Sequence, residues 1–208
     1  QMRYVGFLSA RSIIRVINEK SLAMARDQNP LTKLPGNALI NQYVTESLSD
    51  SDIAYVYAYV DFDNFKPFND KYGFRQGDRA ILLFAELMRK KVAPEHFLGH
   101  IGGDDFFVGF KGLSNAEAEA ELRSLLEDFR SDAESFYDAE ARDKGCITSI
   151  DRDGNPKVFP LLTASAALVE VKTGRAGFNV DDVSALIAKL KKLSKASPTK
   201  LASGTLGG

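Results

Sequence analysis

The ten residues IAYVYAYVDF, at positions 53–62, are almost all apolar, β-branched or aromatic, and the run is broken only by the carboxylate of Asp61. So short and uniform a stretch reads as a central strand buried on both faces. It constrains the fold more than any other segment, because the remaining elements must be arranged around it. It also brings Asp61 to the point where a buried strand meets its loop.

The flanking segments supply helices and a hairpin. Phe7, Ala10, Ile14, Ile17, Ser21 and Met24 recur at spacings of three and four and predict a helix running to about residue 27. Three heptads with a Ser in one slot read either as a helix packed on its own domain or as a signalling stalk. After Asn29-Pro30, LTKLPGN reads as a loop and residues 38–48 as a short helix. The next helix is expected to open at Gly77-Asp78, to turn Ile81, Phe84, Ala85, Met88 and Val92 inward, and to stop at Pro94. Residues 97–101 and 106–110 read as a β-hairpin with residues 102–105 at its tip. Ser114 and Glu117 make a capping-box pattern ahead of a helix carrying Ala118, Leu122, Leu125, Leu126 and Phe129 on one face.

Beyond it lie CITSI, the turn-rich DRDGNP, and one long strand-like run from residue 158 to 171. A last helix starts at Asn179 or Asp181 with Val183, Leu186, Ile187, Leu190 and Leu193 inward, and residues 199–208 are expected to be a disordered tail. The order strand, helix, hairpin, helix, strand, helix predicts an α+β, ferredoxin-like sandwich, with a central mixed sheet and helices on one side. An extra β-hairpin insertion and the N-terminal helix complete the expected architecture.

Composition limits the functional classes. The 27 basic and 28 acidic residues carry no long block of one sign, which argues against a duplex nucleic-acid binder while allowing a small anionic ligand. A lone Cys146 precludes an internal disulfide and fits a reducing, cytoplasmic setting. No apolar stretch is long enough to span a bilayer. The chain opens at Gln1 without Met, which suggests a segment cut from something longer.

The chemistry concentrates in DFDNFKPFND, residues 61–70, and HIGGDDFFVGF, residues 100–110. Asp61 and Asp63 point the same way in an extended chain, and an adjacent hairpin can bring Asp104 beside them. All-oxygen ligands of this kind suit Mg²⁺ (or Mn²⁺) held against substrate phosphate. The same residues also read as a polar turn and a hairpin tip. Lys66, Asn69 and Asp78 follow on the loop and the next helix start, where a cation meets phosphate and an amide with a carboxylate meets a purine edge. Asp78 equally reads as a helix N-cap. His96 and His100, two isolated imidazoles without a third soft ligand, do not make a metal site.

The loop DFDNFKPFNDKYGFRQGD and the hairpin GGDDF resemble the GGDEF family, the diguanylate cyclases, which join two GTP molecules into cyclic di-GMP. The resemblance runs from residue 29 to about residue 195, so residues 29–198 are taken as the domain and residues 1–28 as a stalk or linker. It implies that Asp61 and Asp104 ligate metal together with the carbonyl of Phe62, and that Asp61, Asp104 and Asp105 form the catalytic acidic set. Asn69 and Asp78 would read guanine, Lys66 and Lys195 would hold phosphates, and backbone amides of Asn64 and Phe65 would cradle the triphosphate. Gly102 and Gly103 would let the hairpin backbone approach the nucleotide. Each domain would hold one GTP, so catalysis requires a homodimer.

Four departures from the family pattern stand out. Asp105 occupies a position that is usually Glu, one methylene longer. His100 stands where active members commonly carry Arg, and residues 93–96 lack the Arg-x-x-Asp of the product-inhibition site. The last helix keeps Lys195 but not the usual Gly-Arg-Asn, and Lys189, Lys191 and Lys192 read as a solvated face. The long segment 135–160 resembles a subgroup lying C-terminal to EAL phosphodiesterase and CBS modules, which implies such neighbours here. The same departures support an alternative in which the domain is catalytically degenerate and regulates an attached phosphodiesterase by binding GTP or cyclic di-GMP.

Overall fold

The computed structural model describes residues 9–150, 154–174 and 177–207. At its centre is β1 (Tyr55–Asp63), whose alternate side chains face opposite ways. Val56, Ala58, Val60 and Phe62 enter one core, while Tyr55 and Tyr57 enter a second. β1 pairs antiparallel with β3 (Asp105–Lys111) on one edge and with β6 (Thr163–Val171) on the other. β2 (Phe97–Gly102) lies outside β3, and β7 (Leu201–Thr205) lies parallel to β6, so the strand order is β2-β3-β1-β6-β7.

Helices cover both faces of this mixed sheet. The first core is closed by Phe68 of α3 (Phe65–Tyr72), by Ile81, Phe84 and Met88 of α4 (Phe74–Lys91), and by Leu122, Leu125 and Phe129 of α5 (Asn115–Ala133). The second is closed by Ile40 and Val44 of α2 (Asn37–Leu48) and by Val183 and Leu190 of α7 (Val180–Ala196). The α+β mixed-sheet expectation holds, but its one-sided helices do not. A strand apolar on both faces needs cover on both.

The capping signals act as read. Ser114 and Glu117 form a reciprocal capping box at α5, and Asn179 accepts from the N–H groups of Asp181 and Asp182 at α7. The segment read as a loop after Asp63 is instead the helix α3. Its Pro67 falls in the first turn, where the missing N–H is not needed. α4 opens at Phe74 rather than at Gly77-Asp78, so Asp78 sits inside the helix and is not its N-cap.

Two further expectations are corrected. The strand-like run 158–171 is two strands, because β5 (Pro156–Pro160) pairs with β4 (Cys146–Ile150) in a separate ribbon while β6 joins the main sheet. α6 (Ala139–Lys144) leads into that ribbon. Residues 151–153 of its connecting turn lie outside the described residues. Residues 201–205 are not a disordered tail: they form β7, with Leu201 buried and Ala166 N–H bonded to the Lys200 carbonyl at 2.8 Å. The free edge of β6 offers backbone partners that a short polar segment satisfies without any local hydrophobic signal.

α1 (Ala10–Asp27) projects Ile14 and Ile17 into solvent at 58% and 56% exposure. Phe7, and the side chains of Ser21 and Met24, lie outside the described residues. No helix among the described residues is long and apolar enough to cross a membrane.

Candidate active site

The tyrosine-bearing face of β1 continues through Asp61 and Asp63, so both carboxylates look toward α7 and β6. Asp63 is already engaged there. It accepts hydrogen bonds from Thr163 Oγ1 at 3.0 Å and Ser165 Oγ at 3.1 Å, and Lys200 Nζ stands 3.4 Å away. Asp63 therefore fastens the end of β1 to β6, and Asp61 is left as the cleft-facing carboxylate.

Asp61 opens onto a cleft of about 400 Å³ lined by Asp61, Phe65, Lys66, Asn69, Asp70, Phe74, Asp104 and Lys195. Six of the residues expected from sequence thus meet in one place, drawn from β1, α3, the β2–β3 turn and α7. Asp78 is exposed on α4 and is not among the lining residues. Asn64 holds the left-handed conformation at φ 64° that turns β1 into α3. Phe62 buries its ring against Phe129, with centroids 4.5 Å apart, leaving only its backbone for a role in the cleft.

The hairpin tip is fixed by glycine and by an imidazole. Gly103 lies at φ 59°, a conformation that would strain a side chain. His100, 2% exposed, stacks on Phe106 at 4.3 Å, with its Nδ1 2.9 Å from Thr32 Oγ1 and its Nε2 3.0 Å from the Gly103 carbonyl. A carbonyl only accepts, so Nε2 carries the proton and Nδ1 accepts from the Thr32 hydroxyl. Burial pushes the His100 pKa down, consistent with that neutral state. His100 is a pin for the turn. His96 is likewise occupied, accepting from the Lys111 N–H at 3.2 Å.

The acidic residues crowd one another. Asp61 and Asp105 are register partners on β1 and β3. Burial, with added repulsion from Asp61 and Asp105, lifts the pKa of Asp104 to about 6. Burial likewise raises that of Asp105, against a hydrogen bond from the Tyr59 hydroxyl and the charge of Lys191. Lys195 is ion-paired with Asp61 Oδ1, and Lys191 stands 3.2 Å from Asp61 Oδ2 and 3.8 Å from Asp105 Oδ1. Lys191 is therefore not on a solvated face, whereas Lys189 and Lys192 are exposed as expected.

These residues fit a hard divalent cation. Clustered carboxylate oxygens whose charged forms are mutually disfavoured are what such an ion relieves. Among the described residues no three His, Cys, Asp or Glu side chains stand in a ready-made metal cluster, so water or substrate oxygens would complete the shell. On the α3 side, Asn69 Oδ1 is buried without a hydrogen-bond partner. A Cβ at Gly77 would come within 2.0 Å of it, so glycine leaves room for this acceptor. An unsatisfied buried acceptor at a cleft wall calls for an N–H donor from a ligand.

The chain matches the family "Diguanylate cyclase, GGDEF domain" over residues 26–148. It is 27% identical over 178 residues to the bifunctional diguanylate cyclase/cyclic di-GMP phosphodiesterase MucR of Pseudomonas aeruginosa, covering 81% of this chain and 25% of that protein. It is 25% identical over 162 residues to the probable diguanylate cyclase DgcT of Escherichia coli, covering 75% and 36%. The chain thus spans a quarter to about a third of the length of these relatives. In fold it resembles the coiled coil and GGDEF domain of DgcB from Caulobacter crescentus, solved in complex with c-di-GMP, with a TM-score of 0.66, 18% identity and coverage of 93% and 94%. It also resembles diguanylate cyclase SiaD of Pseudomonas aeruginosa, solved with its activator SiaC, with a TM-score of 0.68, 21% identity and coverage of 94% and 67%. The chain belongs to the GGDEF family and is homologous to diguanylate cyclases.

Proposed function

We propose that this domain binds GTP with Mg²⁺ (or Mn²⁺) and, as a homodimer, condenses two GTP into cyclic di-GMP and pyrophosphate. The observation that carries the reading is the single cleft joining Asp61 and Asp104 to Lys66, Asn69 and Lys195. Asp61, Asp104 and the Phe62 carbonyl would hold the ion, which when bound lowers the pKa of the attacking hydroxyl and offsets charge on the transferred phosphoryl group. Lys66 and Lys195 hold phosphate oxygens. N–H groups of Asn64 and Phe65, at the start of α3, face the triphosphate. Asn69 Oδ1 accepts from a guanine N–H, with Asp78 adding a second acceptor from α4.

Each nucleotide's 3′-hydroxyl oxygen, its proton passing to solvent, attacks the α-phosphorus of the other, so two phosphodiester bonds form and two pyrophosphates leave. One cleft positions one nucleotide, so two domains must face each other. The exposed Ile14 and Ile17 of α1 support a stalk that brings them together. Incubation with GTP and Mg²⁺ across a protein concentration series should yield cyclic di-GMP with a rate that rises faster than linearly. No product at any concentration removes the enzymatic reading.

A second reading is favoured by Asp105, which faces Lys191 at 3.8 Å. In it the domain binds GTP or cyclic di-GMP without turnover and regulates an attached EAL phosphodiesterase, with CBS modules in the same cytoplasmic protein. The ribbon β4–β5 in the long segment 135–160 supports that neighbourhood. Calorimetry separates the two: GTP binding without product supports the sensor, and absence of guanine-nucleotide binding defeats both.

A further inference from the structure

The second lysine on α7 is held unlike any other cation near the cleft. Lys191 Nζ donates to the Tyr59 hydroxyl at 2.7 Å, lies 4.0 Å from the Tyr59 ring centroid, and faces Asp61 at 3.2 Å and Asp105 at 3.8 Å. Lys195 differs. It lines the cleft with its side chain 45% exposed and pairs with one carboxylate, Asp61, whereas Lys191 is 31% exposed, faces two carboxylates and is not part of the cleft wall.

An isolated surface ion pair contributes little. A single ammonium shared by two carboxylates and seated on an aromatic face is a different object, because several partners fix its position and its desolvation is offset. Phosphoryl-transfer sites commonly use two divalent ions, with carboxylates placed to neutralise both. Here Asp61 and Asp105 lie near enough to repel Asp104, and a fixed positive charge already sits between two of the three.

We propose that Lys191 is a built-in cation that takes the place of one divalent ion, so that the acidic cluster of Asp61, Asp104 and Asp105 accepts a single metal ion. This rests on the reading of that cluster as a metal site. Lys191 acts as a positioning residue: it fixes Asp105 and one oxygen of Asp61, leaving to the ion Asp104 and the other Asp61 oxygen, which the ion takes over from Lys195.

The test is a titration of the whole chain with Mn²⁺, with free ion counted by electron paramagnetic resonance, for wild type, Lys191→Met and Lys191→Arg. Wild type and Lys191→Arg are expected to bind one ion per chain. Lys191→Met, whose aliphatic stem still covers Tyr59, is expected to bind two, or its first at least tenfold more tightly. Lys191→Gln, which keeps a donor for Tyr59, should behave like Lys191→Met, and circular dichroism verifies that both are folded. Equal count and affinity in wild type and both neutral variants, two ions on wild type, or none on any variant overturns the proposal. Guanine-nucleotide binding is measured separately by calorimetry on wild type, so its absence sinks the GTP reading without deciding the count of Mn²⁺.

Discussion

The carboxylate of Asp27, the last residue of α1, accepts a hydrogen bond from the backbone N–H of Leu39 at 3.0 Å. It accepts two more at 3.0 Å, from the N–H groups of Gly36 and Ala38. One side chain therefore satisfies three donors at the mouth of α2, a helix whose own N-cap residue, Gly36, offers no side chain. A Cβ on Gly36 would lie 2.1 Å from the Asp27 carbonyl oxygen, which explains the glycine. The junction between α1 and α2 is a hydrogen-bonded joint and not a loose hinge.

Asp27→Ala should accordingly destabilise the protein by about 1–2 kcal/mol, the range seen for lost helix caps. Urea denaturation measures the loss, and amide exchange in the first turn of α2 should accelerate. Unchanged protection there would refute the joint.

His100 predicts a pH dependence. Its folded pKa is depressed by burial, so its contribution is fully present above its ordinary value of 6.5 and is lost as pH falls through the lower folded value. The stability difference between wild type and His100→Gln should shrink as pH drops from 7.5 to 5, because Gln keeps a hydrogen-bonding group but cannot be protonated there. A difference that stays flat across that window contradicts the neutral pin.

Asn69→Ala should separate stability from binding. Removing a buried, unpartnered acceptor and adding a better helix former should leave stability unchanged or raise it by up to about 1 kcal/mol. Guanine-nucleotide affinity, followed by calorimetry, should fall at least tenfold. A variant that is destabilised yet binds normally would show that Asn69 serves the fold.

Asp105→Glu extends a carboxylate by one methylene next to Tyr59 and Lys191. If the shorter side chain is what slows turnover, the variant should form cyclic di-GMP about 10²-fold faster, the scale set by a misplacement of about 1 Å. Product quantified by chromatography decides it, and an equal rate in both proteins removes the methylene as the cause.

Much of this was legible in the sequence because the signals were local. The apolar run of β1, the capping pairs of α5 and α7 and the glycine turn of the hairpin each carry their reason within a few residues. The cleft residues Asp61, Lys66, Asn69 and Asp104 were marked by their place in the two motifs, and Lys195 only by the family resemblance. What escaped depended on distant partners. Lys191 resembles any helix-face lysine until Tyr59 and Asp61, more than a hundred residues earlier, are placed beneath it. Asp63 looked like a second ligand because Thr163 and Ser165 were not yet beside it. β7 has no pattern of its own and is a strand only because β6 presents an edge. α3 was hidden by Pro67, and the early start of α4 by Gly77, a glycine retained for the sake of Asn69.

The central position of β1 has a kinetic corollary. A strand hydrogen-bonded along both edges and walled by two separate cores has no cheap local opening, so its amides should exchange only through global unfolding. Asp61 is thereby tethered to the slowest-opening part of the molecule, whereas Asp104 rides on a two-strand turn at the periphery. Thermal fluctuation should alter the geometry of the acidic cluster chiefly through the turn, with the strand as its fixed reference.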